Sequence, residues 1–238
     1  METAGYAALA RQSGLVKEMR IVANNIANAA TTGYRQEGLI FSEFLHNGQE
    51  QGGLSMSGAR VPNTSMIQGQ LTETGGTFDL AIEGEGFFLI ETPDGERLTR
   101  AGNFAPNAAG DLVTLDGHRV LDAGGAPVFV PAGLADVSIA PDGTISADGN
   151  AIGQIGLYLP TDPTLMVRED GVKFRSDGGV EPAPDAQMLQ RYLEGSNVNA
   201  IDQMARMIEV QRAYEMGQSF LRTEDERIRK AVETLIKT

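Results

Sequence analysis

The side chains that could carry chemistry are few, and they are scattered along the chain. His46 and His118 are the only histidines, and no Gly-x-Ser-x-Gly motif presents a serine for a histidine-dependent nucleophilic triad. Asp79, Glu83 and Glu85 cluster around one predicted strand, and paired carboxyl groups of this kind can perform acid–base catalysis. The sequence offers no apolar pocket in which one carboxyl group would stay protonated at neutral pH. It therefore predicts no catalytic site.

Glycine motifs in the middle of the chain are predicted to be turns rather than ligand sites. Asp-Gly pairs occur at 94–95, 116–117, 142–143, 148–149 and 177–178. No spacing among them gives the twelve-residue calcium loop that ends in Glu, whereas Gly accepts positive φ and Asp tolerates it in hairpin turns. The Gly84-x-Gly86 motif lacks the third glycine of a nucleotide loop. Because cysteine is absent, thiolate metal sites are excluded, and no cofactor is expected.

The charge of the chain argues against nucleic acid as a partner. The net charge is −13, and all of the excess negative charge lies between the two ends, whose own acidic and basic side chains almost balance. Binding to nucleic acid needs the opposite, a basic face that displaces counterions from phosphates. No run of eighteen or more apolar residues occurs, so no direct membrane insertion is expected. The first twenty residues also lack the pattern of a cleaved secretory signal.

Both ends of the chain have the apolar spacing of helices that pack against other helices. The N-terminal stripe repeats at steps of four and three, and it consists of Leu15, Met19, Val22 and Ile26. The C-terminal helix carries a second set, namely Met204, Met207, Ile208, Val210, Tyr214, Leu221 and Ile228. Such spacing forms a helical seam, and we predict that both sets pack subunits together. An ordinary helical hairpin within one subunit remains the alternative.

The predicted fold class is mixed, with long N- and C-terminal α-helices packing as a coiled coil and a central all-β domain. Many short strands at roughly ten-residue spacing indicate an antiparallel sandwich or open barrel for that domain. The N-terminal helix is predicted to run from about Thr3, its N-cap, to Asn28. The C-terminal helix is predicted to begin near Ser196 or Asn199, with Asp202 in a capping box. The predicted domains are an N-terminal helix at 1–30, an extended connecting segment at 31–77 with a short helix near 41–45, a β-domain at 78–190 and a C-terminal helix at 191–238.

Three stretches of the chain resemble the signatures of the bacterial flagellar rod and hook proteins. ANNIAN at 23–28, followed by TTGY at 31–34, is similar to the N-terminal signature. FDLAIEGEGFF at 78–88, continued by LTRAGNF at 98–104, resembles the central signature, and LEGSNVN at 193–199 resembles the C-terminal one. The residues assigned to these motifs are Asn24, Asn25, Asn28, Gly33, Gly84, Gly86, Glu194, Ser196 and Asn197.

The resemblance implies a structural subunit of the flagellar basal-body rod, not an enzyme. Such a subunit would leave the cell through the flagellar type III export apparatus and assemble helically in the periplasm, through its terminal helices, with itself and with other rod proteins. The opening residues and the length are most similar to the proximal rod subunit. The distal rod subunit is the alternative, and an enzyme that opens the cell wall is a less favoured one. The motif asparagines are expected either to tie helix ends to backbone groups of the connecting segment or to cap helices.

Overall fold

The structure is a computed structural model that describes residues 2–46, 54–131, 133–134 and 136–236. Within these residues the chain forms two α-helices, α1 (Glu2–Ala27) and α2 (Ala200–Ile236), and a short 3₁₀ turn at Pro163–Leu165. The strands lie between the helices in the sequence: β1 (Glu37–His46), β2 (Leu54–Thr64), β3 (Leu71–Glu73), β4 (Leu80–Glu83), β5 (Phe87–Thr92), β6 (Gly95–Thr99), β7 (Ala105–Pro106), β8 (Leu112–Val113), β9 (Arg119–Val120), β10 (Val137–Ile139), β11 (Thr144–Ala147), β12 (Asn150–Gln154), β13 (Leu157–Pro160), β14 (Met166–Asp170), β15 (Lys173–Ser176), β16 (Val180–Pro182), β17 (Gln187–Gln190) and β18 (Tyr192–Glu194).

The chain folds into two compact units. The helical unit consists of Met1–Ala27, Glu37–Ser65 and Asn199–Thr238, and the β unit consists of Asn28–Gln36 and Met66–Val198. The helical unit therefore includes the hairpin of β1 and β2, which pair antiparallel with a bulge between Ile40 and Phe41. The predicted division into four domains stays a prediction.

Local sequence accounts for the start of α2. The Asn199 side-chain oxygen accepts hydrogen bonds from the backbone N–H groups of Ile201 at 3.0 Å and Asp202 at 3.4 Å. These are two of the N–H groups that have no partner inside a helix. Asn199 is thus the N-cap, which is one of the two predicted starts. By contrast, Thr3 lies inside α1 and is not its N-cap.

Strand β5 organises the core of the β unit, because its side chains alternate between two apolar clusters. Phe88 and Ile90 belong to one cluster, and Phe87 and Leu89 belong to the other. This alternation follows from the two-residue period of a strand. An uninterrupted apolar run is therefore what a strand buried on both faces requires. The largest sheet has the order β14-β15-β6-β5-β9-β8-β7, and β13 pairs with both β5 and β16. The other sheets of this unit are β10-β11-β12, β17-β4 and β18-β3.

The turns between these strands fall where the Asp-Gly pairs predict them. Gly95, Gly117, Gly143 and Gly149 all have positive φ; the last three lie between two paired strands, and Gly95 is the first residue of β6, directly after the turn from β5. At the fifth pair the positive φ belongs to the following residue, Gly179, in the turn from β15 to β16. The prediction of turns is confirmed.

The predicted fold class is wrong. The N-terminal helix is the short one, with 26 residues against 37 in α2, and the described part of the chain contains no coiled coil. The strands between the helices form several sheets rather than one sandwich or barrel. Strands also occupy part of the segment predicted as a connection, and β1 includes the predicted helix at 41–45.

The physical reason is that polar side chains interrupt the contact between α1 and α2. Gln12 donates to the Tyr214 carbonyl oxygen at 3.0 Å, and Asn25 donates to the Gln203 side chain at 3.1 Å. Between them, Glu18 accepts from Arg206 Nε at 2.7 Å. A coiled coil needs apolar side chains at each such layer. The order of these three contacts along the chain shows that the two helices pack antiparallel.

Candidate functional site

Segments from the three motif regions meet at a buried ion cluster in the β unit. Arg35 Nη2 lies 2.9 Å from Glu194 Oε1, and Arg100 Nη1 lies 3.0 Å from Glu194 Oε2. All three side chains are at most 3% exposed. The backbone N–H of Gly33 donates to the Glu194 carbonyl oxygen at 2.7 Å, and that of Gly69 donates to Glu194 Oε1 at 2.9 Å. Glu194 therefore links all three segments.

The two arginines also bind backbone carbonyl groups. Arg100 donates to the oxygens of Ile82 at 3.1 Å and Gly84 at 2.6 Å, and Arg35 donates to those of Met66 at 3.3 Å and Ile67. Burial away from water lowers the pKa of Arg100 to about 10 and lowers the pKa of Arg35, while Glu194 opposes both shifts. The Nε atom of each arginine is buried and has no hydrogen-bond partner among the described residues.

Asn197 and Gly33 align the N-terminal motif with the rest of the β unit. Asn197 accepts from the Gln36 backbone N–H at 2.6 Å and donates to the Ile67 carbonyl oxygen at 2.7 Å. Gly33 has a φ of 71°, and a Cβ there would lie 2.3 Å from the backbone nitrogen of Ala101. Only glycine fits this close approach. Asn28 accepts from the Thr31 hydroxyl at 3.1 Å.

The central glycines and the remaining motif serine have local roles. Gly84 and Gly86 have φ of 92° and 144°, which favours glycine at both positions. A Cβ on Gly86 would lie 3.3 Å from that of Ala186. The Ser196 hydroxyl accepts from the Val198 N–H at 3.2 Å.

Asn25 performs a similar task in the helical unit. Its carboxamide accepts from the Glu37 N–H at 2.9 Å and donates to the Glu37 carbonyl oxygen at 2.8 Å. The same side chain donates to Gln203, and Asn25 is only 1% exposed. It thereby joins the end of α1 to the start of β1 and to α2. Asn24, the next residue along the helix, is exposed.

The residues predicted to pack subunits divide into three groups by exposure. Val22 and Val210 are buried, so their apolar surface is already covered within the unit. The half-buried group consists of Leu15, Met19, Ile26, Met207, Tyr214 and Leu221. Met204, Ile208 and Ile228 are exposed by 54%, 50% and 54%. Only the last group leaves about half of each side chain uncovered.

Two sets of exposed apolar side chains lie on different sides of α2. Ile228 and Val232 continue the i, i+4, i+7 stripe that begins at Val210 on the side facing α1. At 3.6 residues per turn, the set of Ile201, Met204 and Ile208 lies on the opposite side. A groove of about 470 Å³ also lies between the helices, and its apolar lining includes Ala8, Leu15, Ala213, Met216 and Phe220.

The carboxylates that could have suggested catalysis are not gathered in a cleft. Asp79 accepts from the Thr74 hydroxyl at 2.5 Å, while Glu83 and Glu85 are exposed. Within the described ranges no three His, Asp or Glu side chains are placed to hold a metal. No described helix is long and apolar enough to cross a bilayer.

Sequence reasoning missed the two arginines of the ion cluster and the contact between Gln12 and Gly217. A Cβ on Gly217 would lie 2.1 Å from Gln12 Nε2, so glycine makes room for the Gln12 side chain. The sequence could have indicated the role of Arg100, because this charged residue lies between the uncharged Thr99 and Ala101 within the central motif. Arg35 follows the N-terminal motif directly and has no comparable signal.

Three family models match the chain. They are "Flagella basal body rod protein" over residues 2–35, "Flagellar hook protein FlgE/F/G D1 domain" over 81–147 and "Flagellar basal body rod FlgEFG protein C-terminal" over 189–234. The flagellar basal-body rod protein FlgF of Caulobacter vibrioides is 38% identical over 100% of this chain and 99% of its own length. FlgF of Rhizobium meliloti is 36% identical over 99% and 98%, and FlgG of Agrobacterium fabrum is 34% identical over 87% and 90%.

Proposed function

We propose, from the premise that this chain belongs to the flagellar basal-body rod protein FlgF family, that its exposed helical residues bind neighbouring rod subunits. The chain is a structural subunit of the flagellar basal-body rod and assembles with other rod and basal-body proteins. The distal-rod alternative is less supported, because the FlgF proteins of Caulobacter vibrioides and Rhizobium meliloti match more of the chain, at 38% and 36% identity, than the FlgG of Agrobacterium fabrum does at 34%.

The observation that carries this proposal is the exposure of large apolar side chains on α2. Met204, Ile208 and Ile228 are each at least half exposed, although they belong to the helical stripes. Fully burying such a side chain stabilises a contact by about 1.5–3 kcal/mol. Several of them buried together would therefore hold a neighbour without any catalytic or ligand chemistry.

The two sides of α2 can serve two neighbours at once. Ile201, Met204 and Ile208 point away from α1. Ile228 and Val232 lie on the same side of α2 as the residues that contact α1, but nearer the C-terminal end of α2. A subunit that offers apolar surfaces in different directions can join a growing chain of copies, since such contacts do not close on themselves. The groove between the helices adds a third surface that an apolar side chain of a neighbour can fill.

Aspartate substitutions test the proposal. Ile208→Asp and Ile228→Asp place a charge in each proposed contact and should abolish rod assembly and motility, because burying an unpaired carboxylate is strongly unfavourable. Leu115→Asp is the matched control, since Leu115 is 80% exposed but belongs to the β unit. Electron cryotomography of basal bodies would reveal the rods. Normal rods with both helical variants would refute the proposal.

We infer further that the subunit occupies the proximal rod and reaches it through the flagellar type III export apparatus. The similarity to FlgF proteins, together with the likeness of the opening residues and the length to the proximal rod subunit, supports the first point, and rod membership supports the second. Gene deletion followed by tomography separates the two positions. Loss of the whole rod fits a proximal subunit, and a short remaining stub fits a distal one. Disabling the export apparatus should leave the chain in the cytoplasm.

A further inference from the structure

A small cavity adjoins the buried ion cluster of the β unit. Its volume is about 120 Å³, and both Arg35 and Arg100 line it, together with the apolar side chains of Phe87, Leu159 and Pro163. A space of this size accommodates a few non-hydrogen atoms, such as the end of one side chain. It is too small for a nucleotide or a sugar.

The charges beside the cavity do not balance. Two buried guanidinium groups share one buried carboxylate, Glu194, so one positive charge has no buried counterion among the residues that the structure describes. Burial of a charge without a partner is costly. The Nε atoms of Arg35 and Arg100 are also buried donors with no acceptor among the described residues. A second carboxylate beside the cavity would supply the missing negative charge.

The mouth of the cavity resembles the centre of a protein contact. Met66 lines it and is 39% exposed, and the adjacent Ile67 is 76% exposed. An apolar rim around buried arginines is the usual composition of an interaction hot spot. Glu85, which is exposed, also lines the cavity and partly offsets the charge of Arg100. A partner carboxylate would therefore have to compete with Glu85.

We propose that this cavity receives a carboxylate side chain from a second copy of the chain. Each copy has 32 acidic and 19 basic residues, so a neighbouring copy presents many carboxylates to a site of excess positive charge. The contact would be a second interface, in the β unit, added to the helical one. It shares with the proposed function only the premise that copies of this chain are neighbours in the rod.

The first experiment measures whether the cavity accepts a carboxylate at all. Sodium acetate is titrated into the purified full chain against sodium chloride at equal ionic strength, and the Nε–Hε NMR signals of Arg35 and Arg100 are followed. Acetate should shift both signals saturably, and Glu85→Gln should tighten acetate binding about tenfold because a competing charge is removed. Equal shifts with chloride, or no saturation, would overturn the proposal.

Two rim variants make this test specific. Met66→Trp should close the mouth of the cavity and abolish the acetate shift without changing either arginine. Ile67→Trp is the matched control, because the Ile67 side chain is exposed and does not line the cavity. Ile228→Asp should leave acetate binding intact, so a failure of the helical interface would not be mistaken for a failure of this site. Acetate binding that survives Met66→Trp would contradict the assignment.

The second experiment identifies the occupant. In motile cells, Met66 is replaced with the photo-crosslinking residue p-benzoylphenylalanine, and Leu115 is replaced in the same way as a control. Illumination should join two copies of this chain through position 66 but not through position 115. A crosslink from position 66 to a different rod protein, or none at all in assembled rods, would rule out a second copy as the partner.

Discussion

At the scale of single residues, Glu194 is the predicted motif residue that holds the buried ion cluster together. It binds Arg35 and Arg100 with opposite carboxylate oxygens and accepts the Gly69 N–H as well. These partners come from distant parts of the sequence, and the separation from Arg100 alone is 94 residues. The requirement for glutamate at this position is therefore set by two buried positive charges rather than by the local strand.

Removal of the charge at Glu194 should be strongly destabilising. Glu194→Gln keeps the shape but leaves two buried arginines without a counterion, and we expect the free energy of unfolding to fall by about 3–5 kcal/mol. Glu91→Gln is the control, because the pair of Glu91 and Arg119 is 42% and 46% exposed and should contribute at most about 1 kcal/mol. Urea denaturation of both variants would measure the difference. Equal losses would contradict a special role for the cluster.

The turn at Asp142 allows a test by titration. The backbone N–H and then the hydroxyl of Thr144 bind this carboxylate and hold the pKa of Asp142 below its usual value. Thr144→Val removes the hydroxyl and should raise that pKa toward the usual value, whereas Thr144→Ser should not. Because the folded-state pKa is lowered, the stabilisation is present above the unfolded value and is lost as pH falls through the folded one. Carbon-detected NMR titration would measure both variants, and an identical pKa in both would refute the role of the hydroxyl.

At the scale of secondary structure elements, hydrogen bonds of polar side chains join α1 and α2 in addition to apolar contacts. Gln12 reaches the Tyr214 carbonyl oxygen of α2 because Gly217, on the same side of that helix, has no side chain. Glycine in a helix interior lowers helix stability by about 1 kcal/mol relative to alanine. The glycine is thus unfavourable for α2 alone and favourable for the pair.

A double-mutant cycle can separate these two effects. In a Gln12→Ala background, Gly217→Ala should stabilise the chain by about 1 kcal/mol, because only the helix propensity changes. In the wild-type background the new Cβ displaces the Gln12 side chain, so the same substitution should yield no net gain. Thermal or urea unfolding of the four proteins gives the coupling. An equal effect of Gly217→Ala in both backgrounds would mean that Gln12 and Gly217 do not interact.

At the scale of the whole molecule, the two units have different tasks in the rod. The helical unit carries the exposed apolar side chains of α2, whereas the β unit contains the two buried apolar clusters and the ion cluster. A substitution in the helical unit should therefore affect assembly without unfolding the β unit.

Leu15→Asp and Leu221→Asp test this separation of tasks. Both leucines are half-buried in the helical unit, and a carboxylate at either position would be partly removed from water without a partner. We expect loss of rods and of motility, while residues 66–198 remain protected in hydrogen exchange. A motile strain with normal rods would contradict the expected assembly defect, and lost protection throughout the β unit would contradict the independence of the two units.

The sequence by itself determined the features that depend on neighbours a few residues away. The Asp-Gly pairs fixed the turns because positive φ is a local requirement, and Asn199 fixed the start of α2 because its cap bonds reach only two and three residues ahead. The three motifs identified the family, which the similarity to FlgF proteins bears out. The buried apolar run of β5 was also recognisable as a strand.

Only the tertiary structure decided which of these elements meet and through which atoms. Heptad spacing in both helices predicted a coiled coil. The spacing shows which residues of a helix are apolar, but it does not show which residues of the other helix pack against them. The polar pair of Asn25 and Gln203 is separated by 178 residues, and no local sequence pattern predicts it. The same holds for the cluster of Arg35, Glu194 and Arg100. From sequence alone a charged side chain is predicted to be exposed to solvent, and only a known buried partner changes that prediction. The energy of burying a charge depends on that partner, and the partner is supplied by the fold.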